Sequence, residues 1–153
     1  MPHEAPLLAL LALPFIGSVA AAFFQANARN AEAWLAGAVA LAAHFAAWSY
    51  YPEMANGQVI RAGAAWLPAL GLEFALRLDG FSWLFVVLVT GIGALVMLYA
   101  RYYMSPADPV PRFFSFLLAF MGSMLGAVLS GNLVQLVFFW ELTSVFSFLL
   151  IGY

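Results

Sequence analysis

The chain repeats one pattern, an uncharged apolar run about as long as a lipid bilayer is thick, and that repetition constrains the fold more than any motif. A hydrocarbon core of about 30 Å needs a helix of roughly 20 mainly apolar residues. Residues 7–24, 33–51 and 81–100 are such runs, and none holds a formal charge. Residues 113–151 are too long for one span. They divide at Ser130-Gly131-Asn132, a turn signal, into 113–129 and 133–151. Composition agrees: 66% of the 153 residues are hydrophobic and 8% charged, against about 25% charged in a soluble domain. A water-soluble fold of this size has too much surface relative to its volume to hide so much apolar area. The expected fold is all-α integral membrane, with about five transmembrane helices forming a single transmembrane unit over residues 1–153.

Several function classes are excluded. The net charge is −2, Lys is absent and the five Arg are scattered, so there is no basic patch for nucleic acid. The absence of Cys removes disulfides, thiolate metal sites and Cys nucleophiles. No phosphate loop, nucleophile–base pair or metal-spaced His cluster occurs, so neither a hydrolase nor a nucleotide-driven pump is indicated and no cofactor is expected. A signal peptide starts with positive charge, but Met1-Pro2-His3-Glu4 has none. The first run is therefore read as a span.

Between the second and third spans, Pro52 to Gly80 carries a period of two: Leu72, Phe74, Leu76 and Leu78 alternate with Glu73, Ala75, Arg77 and Asp79. That period predicts a strand. Val59 to Trp66 is its partner and Leu67 to Gly71 the turn, together a short extramembrane β-hairpin on the membrane surface. The next connection, Arg101 to Arg112, contains Pro106, Pro109 and Pro111 and is expected not to be helical. Trp48, Tyr50, Tyr51, Tyr99, Tyr102 and Tyr103 fall where interfacial aromatics belong. With the N-terminus outside, the cytoplasmic connections hold Arg29, Arg101 and Arg112 and the hairpin holds Arg61 and Arg77, a slight positive-inside bias. Gly122, Gly126 and Ser130, like Ala36, Ala40, Ala43 and Ala47, form small-residue stripes that let helix backbones approach.

Glu141 carries the suggestion of chemistry. It lies near the middle of 133–151 and is the one formally charged side chain inside the five expected spans. A charge at that depth costs about 3 kcal/mol on the insertion scale, which the Leu, Ile, Val and Phe of the same helix offset. Three readings stand: a protonated Glu141 bonded to a neighbouring helix with Ser144 one turn on, a proton or cation relay, or a partner for a basic group elsewhere. Intramembrane carboxylates point to function by default. His44 is also mid-span, and imidazole as a group titrates near neutrality, though a neutral His bonded to a neighbour costs little. Asp79, at the start of the third span, suits a helix cap.

The stretches Trp66-Leu67-Pro68-Ala69-Leu70-Gly71-Leu72, Leu78-Asp79-Gly80-Phe81-Ser82 and Leu98-Tyr99-Ala100-Arg101-Tyr102-Tyr103-Met104 resemble antiporter-like membrane subunits. Asn132-Leu133, Phe139-Trp140-Glu141-Leu142-Thr143-Ser144 and Ser147 to Tyr153 resemble the fifth helix of the A subunit of the multisubunit Mrp-type Na+/H+ antiporters. The related large component of respiratory complex I has Glu-Gly-Val-Gly where this chain has Glu141-Leu142-Thr143-Ser144. The resemblance covers most of the chain after residue 59, while the first two spans match in hydrophobic character. It implies monovalent cation/proton antiport in a prokaryotic cytoplasmic membrane, within a complex of several subunits that handles Na+ or another monovalent cation and protons. It also implies that Glu141 loads protons opposite a lysine on a seventh helix, in bundles repeated with inverted topology. Members of that family continue beyond the fifth helix, so the chain is expected to be the N-terminal portion of a longer subunit, or to depend on a second polypeptide. The alternatives are a proton-translocating subunit of a complex I or membrane-bound hydrogenase, and a truncated membrane scaffold that transports nothing.

Overall fold

The computed structural model describes residues 3–25 and 29–153, with Arg29 by its backbone alone. Met1, Pro2 and the side chain of Arg29, which bear on the signal-peptide and orientation expectations, lie outside the described residues. The elements are α1 (Glu4–Ala22), α2 (Arg29–Trp48), a short α3 (Tyr51–Ala55), β1 (Ile60–Leu67), β2 (Leu72–Leu78), α4 (Gly80–Tyr103), α5 (Val110–Leu129) and α6 (Leu133–Ile151). Five segments among the described residues are long and apolar enough to cross a membrane: Glu4–Ala22, Asn30–Ala55, Gly80–Tyr103, Val110–Leu129 and Leu133–Ile151.

The spans match those expected from the sequence, but four helices begin earlier than their apolar runs. α1 and α2 take Glu4 and Glu32 into their first turns, where the positive end of the helix dipole favours an acid. Glu141 is therefore not the one charged residue inside the helices, as its sequence context suggested. Glu4, Glu32, Arg101 and Arg112 are helical too. α4 runs on to Tyr103 and α5 starts at Val110, so the non-helical part of the Arg101–Arg112 connection shrinks to residues 104–109. Pro111 is admitted because it sits in the first turn, where its missing N–H has no intrahelical acceptor. Pro14 lies inside α1 without ending it.

α5 is the centre of the bundle. Phe114, Leu118, Leu125 and Leu129 are fully buried along it. It packs against α1 and α6, and α2 packs against α4. Ser18 and Ser115 tie α1 to α5 reciprocally: Ser18 Oγ donates to the Ser115 carbonyl at 2.7 Å, and Ser115 Oγ donates to that of Ser18 at 2.9 Å. Such pairs satisfy both hydroxyls in a medium with no water to offer. The glycine stripe on α5 works differently from a close backbone crossing. A Cβ at Gly122 would lie 2.9 Å from the Phe15 ring of α1, and Gly126 receives the ring of Phe139 from α6. Each glycine is a seat for an aromatic ring.

The hairpin is antiparallel, its strands one residue offset from expectation for β1 and as expected for β2. Its register pairs Ile60 with Leu78, Ala62 with Leu76 and Ala64 with Phe74. Ile60, Ala62, Leu76 and Leu78 are buried against the helices, whereas Arg61, Glu73 and Arg77 face away from them. Residues 68–70 form one 3₁₀ turn, closed by Gly71 at φ +67°, in the left-handed region. The outer edge of β2 is covered by the α5–α6 link. Gly131 N–H donates to the Ala75 carbonyl at 2.8 Å, Asn132 Nδ2 to the Glu73 carbonyl at 2.8 Å, and Ala75 N–H to Gln135 Oε1 at 2.9 Å. The turn expected at residues 130–132 thus doubles as a partial third strand. It places the N-terminus (His3, 3.9 Å from Glu53), the hairpin and the α5–α6 link at one end of the bundle. Tyr153, whose hydroxyl donates to Met104 Sδ at 3.3 Å, marks the other.

Candidate functional site

α6 has a core face and an uncovered face. Gln135 and Phe139 are buried, and Leu142, Phe146 and Tyr153 continue that stripe half-buried, at the three-and-four spacing of a helix. Glu141 falls off this stripe and is exposed. Its neighbours on the same side are Val134, Val137, Val145 and Phe148, all exposed, Phe148 by 74%. A helix apolar all round belongs to the interior of a larger bundle or to lipid. Among the described residues Glu141 has no hydrogen bond and no ion pair, and its side chain is exposed.

Ser144 does not join it. Its hydroxyl leans toward the Trp140 carbonyl, 3.5 Å away on its own helix. With Thr143 and Ser147 it forms the polar rim of a cleft of about 430 Å³, whose other walls include Phe85 of α4 and Phe120 and Met124 of α5.

His44 belongs to the α2–α4 interface. Trp48 Nε1–H donates to its Nε2 at 3.0 Å, so Nε2 is the acceptor. In the neutral ring Nδ1 then carries the hydrogen and donates to Thr90 Oγ1 at 3.0 Å, and the Thr90 hydroxyl donates to the Val86 carbonyl at 2.8 Å. Gly91 leaves the room: a Cβ there would approach His44 Cε1 to 3.2 Å. The neutral tautomer is fully bonded.

Asp79 caps α4. Its Oδ1 accepts from Ser82 N–H at 2.9 Å, and its own N–H donates to Ser82 Oγ at 2.9 Å. Arg77 adds an ion pair at 3.1 Å. The Ser82 backbone N–H, chiefly, holds the Asp79 carboxyl below its usual range. Among the described residues, no hydrogen bond, ion pair or shared cleft joins any two of Glu141, His44, Asp79 and Ser144.

Two groups are not evident from the sequence. Gln135 is fully buried, locking α6 to β2; a Gln following Asn132 reads as ordinary first-turn polarity. Glu32 is 0% exposed. Its spacing of four before Ala36 places it on the alanine stripe, a signal hidden by starting the span at Ala33.

In sequence and fold the chain is similar to one class, the multi-pass antiporter-like membrane subunits. Known proteins agree. The model of the family described as NADH-ubiquinone oxidoreductase (complex I), chain 5 N-terminus, matches residues 66–114. The probable K(+)/H(+) antiporter A/B subunit of Rhizobium meliloti is 57% identical over 150 residues, covering 98% of this chain and 15% of the relative. The A subunit of the Na(+)/H(+) antiporter of Alkalihalophilus pseudofirmus is 40% identical over 142 residues, 92% of this chain and 18% of the relative. Among solved structures, the Mrp complex from Dietzia sp. superposes with a TM-score of 0.72 at 30% identity, over 99% of this chain and 16% of that one. An archaeal membrane-bound sulfane sulfur reductase gives 0.76 at 21%, over 94% and 22%, a likeness of fold. Within the class, then, the resemblance is to the N-terminal part of the A subunit of Mrp-type antiporters. It reaches the first two helices, whose sequence match was expected in hydrophobic character alone. The chain spans less than a fifth of the length of either relative, and it is a multi-pass protein of the cytoplasmic membrane.

Proposed function

We propose that this chain is the N-terminal, five-helix portion of a monovalent cation/proton antiporter subunit working within a multisubunit complex, with Glu141 as its proton-loading carboxylate. The observation that carries the reading is the position of Glu141: mid-length on an apolar helix, on a face that none of the described residues covers. A carboxylate left against lipid is costly, so further helices must enclose it, and the relatives are several times longer than this chain. Enclosed beside a basic group, it would be tuned between desolvation and an opposite charge, as a carboxylate that loads and releases protons must be. Antiport driven by ion gradients is transport, not enzymatic turnover. The N-terminus and hairpin would share the exterior side, with Tyr153 inside.

The test is Glu141→Gln in the complete complex. Gln keeps the shape and hydrogen bonding but cannot exchange a proton. Proton flux against an imposed cation gradient in membrane vesicles should vanish at unchanged complex levels, and Glu141→Asp should keep part of it. Near-normal flux in the Gln variant would leave Glu141 a packing residue.

A second reading, a proton-translocating subunit of a redox complex, is supported by the complex I description of the matched family and by the sulfane sulfur reductase likeness. Flux driven by an ion gradient without electron donor separates the two. His44, Asp79 and Ser144 are given structural roles, at the α2–α4 contact, the α4 cap and the cleft rim.

A further inference from the structure

Glu32 is 0% exposed, and neither of its carboxyl oxygens has a hydrogen-bond partner among the described residues. It opens the buried face of α2 that continues through Ala36, Val39 and Ala43, at helical spacing. That face enters an apolar cluster joining the end of α1, the last turns of α4 and the start of α5, through Ala21, Ala100 and Phe114.

Beyond the helix dipole at the start of α2, the described residues give Glu32 no ion pair and no hydrogen-bonding partner. Arg101, at the same end on α4, lies with its guanidinium 5.8 Å from the Trp34 ring and 5.0 Å from that of Tyr102. Arg112 of α5 is exposed. Tyr153 is bonded to Met104, and Asp108 accepts from Ser105 N–H. α1 has no titratable group between Leu7 and Ala22. An ordinary packing position would be filled more cheaply by Ala or Leu, because a buried polar group without a partner is destabilising. A charge buried without a counter-ion costs far more, and a carboxyl avoids that cost by holding a proton that it can exchange with a water, another acceptor or a cation.

We propose that Glu32 is a second proton-binding carboxyl of the transport path, placed at the end of the bundle opposite the hairpin. The inference rests on the transport reading above. Glu32 stands in the first turn of α2, and Glu141 is ten residues from the end of α6 on that same side. At 1.5 Å per residue the two differ in depth by roughly 10 Å, too far for direct transfer, so a path through both needs water or hydroxyl carriers supplied in the complete complex. One O–H bond breaks and one forms at each handover, and nothing else changes.

Two measurements on the complete antiporter complex test this. In vesicles, Glu32→Gln should lower cation/proton exchange at least tenfold at unchanged complex levels, and Glu32→Asp should restore part of it with a displaced pH profile. Dicyclohexylcarbodiimide provides a readout independent of transport. The carboxyl proton goes to a carbodiimide nitrogen and the carboxyl oxygen bonds the central carbon, and the adduct rearranges to a stable N-acylurea without a leaving group. Peptide mass spectrometry should find it on Glu32 in both the wild-type and Glu141→Gln complexes, declining as pH rises. Normal exchange with an unchanged pH profile in Glu32→Gln overturns the proposal, as does a Glu32 left unmodified at acid pH. If the Gln variant does not assemble, labelling of the wild type decides. A wild-type complex that moves no protons against a cation sinks the antiport reading instead, while labelling still reports on Glu32 by itself.

Discussion

Asp79 is held by hydrogen bonds running both ways, accepting from Ser82 N–H and donating to Ser82 Oγ, and its charge makes that arrangement pH-sensitive. Its folded-state pKa is lowered, first by the Ser82 backbone N–H. The stabilisation is therefore complete above the unfolded pKa of about 3.9 and lost as pH falls through the folded value. Asp79→Ala should destabilise the start of α4 by about 1 kcal/mol, seen as faster amide exchange at Ser82 and Trp83 near neutral pH. Asp79→Asn should keep most of the cap and remove the acid sensitivity. At His44 the expected behaviour is different. Thr90→Val takes away the acceptor for Nδ1–H and leaves a donor without a partner, a loss of about 1–3 kcal/mol. Thermal unfolding of the purified complex would report it, and cation/proton exchange per folded complex should stay at the wild-type level if His44 is a structural contact.

The elements were legible in the sequence to the extent that their signal is local. Runs of apolar residues gave five helices, and the alternation of Leu72, Phe74, Leu76 and Leu78 gave β2, because length and period are properties of a segment alone. Boundaries were less legible: charges such as Glu32 and prolines such as Pro111 look like breaks in a run of residues, yet both fit a helix's first turn. What could not be read was pairing over distance. Nothing near Gln135 announces that it will accept from Ala75, 60 residues away, and nothing near Gly126 announces the ring of Phe139. Glu141 stood out by charge alone, whereas the burial of Glu32 depends on three other helices. Cysteine placed along residues 72–78 should react with a polar thiol reagent with a period of two, fast at 73 and 77 and slow at 76 and 78. A three-to-four-residue period would be incompatible with the strand. Gly126→Leu should cost about 1–3 kcal/mol by overpacking, lowering complex yield because Phe139 has nowhere to go.

As a whole, the molecule puts the N-terminus, hairpin and α5–α6 link at one end and Tyr153 with residues 104–109 at the other. Reporter fusions made after Arg29, Arg61 and Arg112 of the complete protein should read inside, outside and inside; a cytoplasmic signal at Arg61 would reverse the orientation. The same arrangement also imposes a timetable on synthesis. β2 leaves the ribosome with its outer edge bare, and the groups that cover it, Gly131, Asn132 and Gln135, come 56 to 60 residues later. At 5–20 residues per second the delay is roughly 3 to 12 s. Throughout it an unpaired strand edge, of the kind that recruits other chains, waits on the surface while two more helices are threaded into the bilayer. The exposed Glu73 and Arg77 lie beside that edge, charges of the kind that blunt edge-to-edge pairing.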